Sequence, residues 1–317
     1  QCMPHFLNHD FEFALILSGD QLYQIDFNEM LEAHIDNGAD ISIATLPVNA
    51  KDAPEFGILK TNDANFIEAF IEKPAAELLP QWESDVSEEM KQQGKHYLAS
   101  MGIYIFNKKL LIELMKNPET KDFGKEIIPQ AVGKQKILSY QYEGYWTDIG
   151  NIESFFDANI GLTNDIPDFN LFDNDNKIYT RPRLLPPSKF KSTHLDNSLI
   201  SEGCIINAKA IKKSVIGNRS RIGEGTVIEN SYIMGNDFYQ SLTDMKEDIE
   251  NENQLIGIGE RCYINHALVD KNCRIGNDVY INGGKHLTNF SEELYCIKDG
   301  IVVIKKGKTL PDNFRIE

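Results

Sequence analysis

Residues 205–235 read IINAKAIKKSVIGNRSRIGEGTVIENSYIMG, and an apolar side chain returns close to every sixth position: Ile205, Ile211, Ile216, Ile222, Ile228 and Met234. The beat resumes downstream at Ile258, Ile264, Val269, Ile275 and Ile281. Glycine follows several of these residues, in VIGNRS, RIGEGT, GIGERC and RIGNDV. A helix repeats every 3.6 residues and an ordinary strand every two, so neither explains the pattern. A six-residue repeat is the signature of a left-handed parallel β-helix, in which each step forms one face of a triangular coil. The branched side chains then point inward, and Gly or Asn makes the corners. This assigns 199–317 to a hexapeptide β-helix domain. The stretch 236–255, NDFYQSLTDMKEDIENENQL, breaks the beat with acidic and polar residues and is expected to be a loop extruded from the stack.

Upstream, the Pro-rich YTRPRLLPPSKF at 179–190 marks a boundary, with 179–198 as a connector and 1–178 as a separate domain. In that domain strands and helices alternate. FALIL (13–17) is an unbroken apolar run that suits a buried strand. Asp26 with Glu29 makes a capping-box pattern, apolar Met30, Leu31 and Ile35 follow at helical spacing, and Gly38 stands where a helix would stop. ISIATLP, YLASMGIYIF and KILSYQY read as further strands, and FGILKTNDANFIEAFIEKP as a hairpin turning at Asn62-Asp63. Helices are expected near 107–116, 124–132 and 151–164. The alternation predicts a three-layer, Rossmann-like α/β domain with a mostly parallel sheet. Residues 1–9 read as the tail of a helix, so the domain is expected to be incomplete at its N-terminus.

Composition limits the functions available. The net charge of −16, from 48 acidic and 32 basic residues, argues against nucleic acid or an anionic membrane as partner. No apolar stretch is long enough to span a bilayer and no signal peptide is evident. The five cysteines, Cys2, Cys204, Cys262, Cys273 and Cys296, show no C-x-x-C spacing, which favours reduced thiols in a cytoplasmic compartment. There is no G-x-S-x-G, H-E-x-x-H or P-loop. His266 and His286 lie in or beside the coil repeats, where a structural role is the simpler reading.

Two aspartates stand out. Asp20 follows the first strand and a Gly, at the carboxyl end where open α/β sheets bind ligands, and Asp148 follows the strand-like run in YEGYWTDIG. An isolated Gly-Asp is by itself a turn pattern. Paired with a second strand-end carboxylate, it becomes a candidate holder for a divalent cation in phosphate chemistry.

The ordered set LILSGDQLY, EFGILK, FIEKP, LASMGIYIF, DFGKEIIP, GYWTDIGNIESFFDAN, IYTRPRLLPPSKF and DGIVVIKKGKTLP resembles the glucose-1-phosphate adenylyltransferases, or ADP-glucose pyrophosphorylases, over nearly the whole chain. The resemblance implies transfer of an adenylyl group from ATP to α-glucose 1-phosphate, giving ADP-glucose and pyrophosphate for glycogen or starch synthesis. It implies that Asp20 and Asp148 are the catalytic carboxylates that hold Mg²⁺, that Lys73 grips the sugar phosphate, and that Glu72 accepts from sugar hydroxyls. Ser100 and Gly102 would line the same pocket. Gln21 stands where the family commonly has His, and Trp146 and Tyr145 read as structural aromatics. Lys306 matches a lysine that contacts phosphorylated metabolite effectors, which implies a homo-oligomer, a tetramer by resemblance. The family's glycine-rich triphosphate cradle is expected upstream of Gln1, so residues 1–317 alone are expected to turn over ATP negligibly. Other readings remain open: another nucleotide base, a non-catalytic regulatory subunit of the same family, and, more distantly, a β-helix acyltransferase using a coil histidine as base.

Overall fold

The computed structural model describes residues 8–116, 122–175 and 177–317, so most of the helix tail expected at 1–9 lies outside the described residues, as does Cys2. The chain divides into two compact units, Gln1–Trp146 and Thr147–Glu317. The division falls within the segment 1–178 expected to be a single domain.

The first unit is built on one sheet of β1 (Phe13–Ile16), β3 (Ile41–Asn49), β4 (Gly57–Thr61), β5 (Ile67–Glu72), β6 (Lys95–Asn107) and β7 (Ile137–Gln141), in the order β5-β4-β6-β3-β7. β1 lies beside β4 along the other half of β6, pairing Phe13 with Asn107 and Ile16 with Tyr104. β2 (Gln21–Tyr23) follows Asp20. The sheet is mixed, not mostly parallel. Among the described residues only β3 and β7 of this sheet pair in parallel, while β6 runs antiparallel to β1, β3 and β4, and β4 antiparallel to β5. The reason is β6, a 13-residue strand that inserts between β1 and β3. The alternation did place β1, β3 and β7 in one direction, but β6 separates the first from the other two.

The first helix, α1 (Phe27–Asp36), starts where expected. Asp26 caps it by accepting from the Asn28 N–H at 2.8 Å, and Gly38 takes the left-handed φ of +56° just beyond it. Its face buries Met30 and His34. β4 and β5 form the predicted hairpin, turned by Asn62, whose side chain accepts from the Ala64 and Phe66 amides. The expected 107–116 helix is α2 (Lys108–Leu114).

In the second unit, α3 (Ile152–Gly161) is capped by Asn151, which accepts from the Ser154 N–H at 2.9 Å. It buries Phe156 and Ile160 against Leu268, Ile301 and Tyr232 of the coil wall. That apolar seam is why Thr147 onward groups with the repeats. The coils begin at Lys189, inside the expected connector, with Lys189–Phe190 pairing in parallel with Ile205–Ile206.

Three parallel sheets wall the coil, and each has an unbroken interior column. One runs Ile211, Ile228, Ile264, Ile281, Ile316; another Ile206, Ile222, Ile258, Ile275, Leu310; the third Ile216, Ile233, Val269, Ile304. The hexad reading erred at two positions: Ile206 and Ile233 point inward, while Ile205 is 37 % exposed and Met234 half-buried. At Ile205 the slip comes from the step Ile206 to Ile211, five residues long where the later steps Ile222 to Ile228 and Ile258 to Ile264 take six. At Met234 the cause is a tight corner. Asn197, Lys213, Asn230 and His266 each turn it as a single left-handed residue, with φ between +40° and +50°. The step across that corner, Ile211 to Ile216 or Ile228 to Ile233, is therefore shortened to five residues. Within the corner, Ser214 Oγ accepts from the Ser231 N–H and Ser231 Oγ from the Ala267 N–H, so the buried amides stay paired.

Two excursions leave the coil. The expected loop 236–255 contains helix α4 (Leu242–Glu250), capped by Ser241 and pinned by Arg274, which donates to Asp248 at 2.7 Å. The second, a hairpin of Phe290–Ser291 and Tyr295–Lys298 added antiparallel to Ile301–Ile304, was not anticipated.

Candidate functional site

The first unit gathers five of the sequence-predicted residues around the carboxyl end of β1 and the adjoining part of β6. Asp20 follows Gly19, is exposed, and accepts from the Ser18 hydroxyl at 2.5 Å through Oδ1. Its other oxygen is available to a ligand. Gly102 sits in β6 with φ +70°, and a Cβ there would lie 3.4 Å from Gln21 Nε2 and 3.8 Å from Ser18 Cβ. Glycine thus lets β6 pass close to the Asp20 segment without strain. Ser100 accepts from the Gly102 N–H at 3.3 Å and also bonds the Tyr104 hydroxyl.

Glu72 ends β5, with its carboxylate beside Gly57 and Gly124. A Cβ on those glycines would come within 2.9 and 3.6 Å of Oε2. Glu72 also faces Tyr104, whose pKa is raised above its ordinary value mainly by burial, with a smaller contribution from the negative field of Glu72 and Asp122. Tyr104 stacks on Phe123 at 5.8 Å. Lys73, next in the chain, is exposed and holds φ +48°, an uncommon conformation for a residue with a Cβ. Its N–H donates to the Phe56 carbonyl at 3.0 Å, and buried Pro74 fixes the chain beyond it. Phe56 meets Trp146 edge-on at 5.4 Å, and the Trp146 indole N–H donates to Gln21 Oε1 at 3.3 Å. Two carboxylates, a hydroxyl and aromatic edges therefore border one region, with Lys73 next to Glu72 in the chain, a suitable donor set for a phosphorylated polyol.

Asp148 belongs to the second unit. It is half-buried in the short strand β8 (Trp146–Asp148), and its Oδ1 accepts from the Gly150 N–H at 3.0 Å ahead of α3. Among the described residues no group of three or more His, Cys, Asp or Glu forms a metal cluster. A cation shared between one or two carboxylates and substrate phosphates does not require one. Asp20 and Asp148 each keep one carboxylate oxygen outside the hydrogen bonds just given, and that donor chemistry fits a hard divalent cation.

Sequence reading missed Tyr104 and Phe123, and it took Trp146 as structural. A hydroxyl in the run GIYIF was the available signal for Tyr104. For Trp146 there was none, because only the fold shows its indole N–H meeting Gln21.

Elsewhere in the second unit, Lys306 and Lys271 share one anion, lying 3.7 and 3.0 Å from the Asp237 carboxylate. Asn272 and Lys271 hold the Asp237 pKa below the usual carboxylate value. Lys305, the expected neighbour of Lys306 in a basic pair, turns instead to the Glu292 carbonyl in the hairpin. His266 bonds Asn230 at 2.8 Å and meets Phe156 edge-on, a structural histidine. Cys204, Cys262 and Cys273 are buried free thiols, their pKa values raised by burial. Among the described residues no helix is long and apolar enough to cross a membrane.

The nucleotidyl transferase family model matches residues 3–165, and the model of the GLGC left-handed parallel β-helix domain matches 183–314. The small subunit of the chloroplastic/amyloplastic glucose-1-phosphate adenylyltransferase of Triticum aestivum is 40 % identical over 316 residues, covering 96 % of this chain and 67 % of the wheat protein. Two domain models in that order, and a relative aligned along nearly the whole chain, place it: the protein belongs to the glucose-1-phosphate adenylyltransferase family, with a nucleotidyl transferase domain followed by a left-handed β-helix.

Proposed function

We propose that this protein transfers the adenylyl group of ATP to α-glucose 1-phosphate, releasing pyrophosphate and forming ADP-glucose for glycogen or starch synthesis. The observation that carries the reading is the convergence of Asp20, Glu72, Lys73, Ser100 and Gly102 in one unit, on a chain of this family. A phosphate oxygen of the sugar phosphate attacks the α-phosphorus and pyrophosphate departs in line, so the protein's task is positioning and charge neutralisation. Lys73 offers a point charge to the sugar phosphate. Glu72 accepts from sugar hydroxyls, and Ser100 and the open backbone at Gly102 shape the pocket. Asp20 and Asp148 are the carboxylates assigned to Mg²⁺, which when bound neutralises phosphate charge.

Lys306, with Lys271, is assigned to a phosphorylated effector, with Asp237 as the resident anion in its absence. Such regulation implies a homo-oligomer, a tetramer by resemblance. Buried free thiols fit a reducing, cytoplasmic setting; the wheat relative's name places that protein in plastids. A regulatory subunit of the same family is the second reading, and retention of Asp20, Lys73 and Asp148 together favours the catalytic one.

The test is pyrophosphate release by the full-length protein with ATP, Mg²⁺ and glucose 1-phosphate, beside other nucleoside triphosphates and other sugar phosphates. Asp20→Asn and Asp148→Asn should each lower kcat by orders of magnitude while the fold persists. Equal turnover with another nucleotide would reject the adenylyl assignment. A folded wild-type protein inactive with every combination would support the regulatory reading.

A further inference from the structure

Gln21 occupies a junction that the roles assigned above leave unexplained. Its Oε1 accepts the Trp146 indole N–H at 3.3 Å, while its Nε2 faces Gly102, where a Cβ would stand 3.4 Å away. Trp146 in turn braces Phe56 edge-on at 5.4 Å, and the Phe56 carbonyl holds the Lys73 N–H at 3.0 Å. Lys73 needs that hold, because φ +48° on a non-glycine residue persists only where its surroundings fix it. At the other end, Gln21 is covalently joined to Asp20. One side chain therefore ties the aspartate segment to the backbone that aims the lysine.

We propose that Gln21 is a positioning residue for sugar-phosphate binding: it orients Trp146, and through Phe56 it fixes the conformation of Lys73. The proposal rests on the sugar-phosphate reading of the site. An amide suits the task because a half-buried indole N–H needs an acceptor, and glutamine remains one at every pH. A histidine at this position would accept only while neutral.

The experiment compares wild type, Gln21→Leu, Trp146→Phe and the double variant in the full-length protein. Glucose 1-phosphate binding is measured by calorimetry, with KM and kcat beside it. Losing one hydrogen-bond acceptor predicts a five- to tenfold rise, roughly, in Kd and KM for the sugar phosphate in Gln21→Leu, with little change in kcat. Trp146→Phe keeps an aromatic ring toward Phe56 but removes the indole N–H, and should raise Kd and KM similarly. The double variant should cost little more than either single one, because each removes the same hydrogen bond. A merely structural role would give additive losses that are not confined to KM. If wild type binds and turns over the substrate but the two losses add, the positioning role is wrong while the function stands. The same follows if Gln21→Leu leaves KM unchanged. A wild-type protein that neither binds nor converts any sugar 1-phosphate overturns both. Should Gln21→Leu fail to fold, the KM-against-kcat split of Trp146→Phe decides alone.

Discussion

Replacing Ile228 by Ala tests whether the stability of the β-helix resides in its interior columns. Ile228 has no solvent exposure and is in register between Ile211 and Ile264, both also fully buried. The change deletes three carbons, about 2.4 kcal/mol at roughly 0.8 kcal/mol per buried methylene. The cavity left between two parallel rungs that cannot close on it adds to this, giving an expected cost of about 3–4 kcal/mol. Ile205→Ala removes the same atoms from a side chain that is 37 % exposed, and with the burial reduced in proportion and no closed cavity left behind it should cost about 1.5 kcal/mol. The two variants thus separate interior position from residue type. Amide hydrogen exchange across the columns, with urea midpoints for the chain, is the assay. Ile228→Ala should accelerate exchange at Ile211, Ile228 and Ile264 by two orders of magnitude or more, roughly, whereas Ile205→Ala should leave them within about 15-fold. Equal effects from the two substitutions would show that the columns do not carry the stability argued for them.

Lys73→Ala should raise KM for glucose 1-phosphate at least about tenfold, with a smaller fall in kcat. Lys73→Gly, which suits φ +48°, should lose the same affinity while keeping thermal stability, and unchanged KM in both would remove the lysine from the site. Gly102→Ala forces a Cβ into a φ of +70° toward Gln21, so it should cost about 1–2 kcal/mol, read as a lower melting temperature. A gain in stability would contradict the strain argument. Lys306→Ala should weaken the response to phosphorylated effectors and spare basal turnover; an unaltered response would end that assignment. His34, 1 % exposed between Ser42 and Asn107, and His266 both have pKa values pushed below the ordinary histidine value, chiefly by burial. The unfolded chain then binds protons that the native chain refuses, so stability should fall as pH drops below about 6.5 and level off below the folded pKa values. Urea midpoints between pH 7.5 and 5 in wild type and His34→Gln check it, and an identical slope in the two would exclude His34 as a source.

The β-helix was legible because its core is one residue wide: each rung exposes a single inward position per face, so the repeat appears directly in the string. Legibility failed where one residue did the work of two. Lys213, Asn230 and His266 turn the tight corner alone, and nothing in the identity of a lysine or histidine announces a left-handed φ, so the beat was carried one residue out of phase at Met234. The mixed sheet escaped for a different reason. Local alternation encodes the direction of β1, β3 and β7, but not that the long strand β6 intervenes between two of them, because that choice is made by non-local pairing.

The candidate site shows the same division between local and non-local information. Asp20, Glu72 and Lys73 sit at strand ends, where sequence marks them. The contacts that aim them come from residues distant in the chain: Trp146 to Gln21 and Phe56 to Lys73. One position in that web also breaks an ordinary rule, Lys73 by its left-handed backbone. Local violations of this kind survive when the surrounding structure compensates, and they concentrate where function needs a fixed geometry. Lys73 fits that description. Its strained φ is held by a carbonyl whose own position depends on an aromatic pair, and that pair is anchored by one amide beside Asp20. The lysine's aim is therefore a property of the whole contact chain, which is why a substitution at Gln21, remote in sequence from Lys73, is the sharper probe of how this site binds a phosphate.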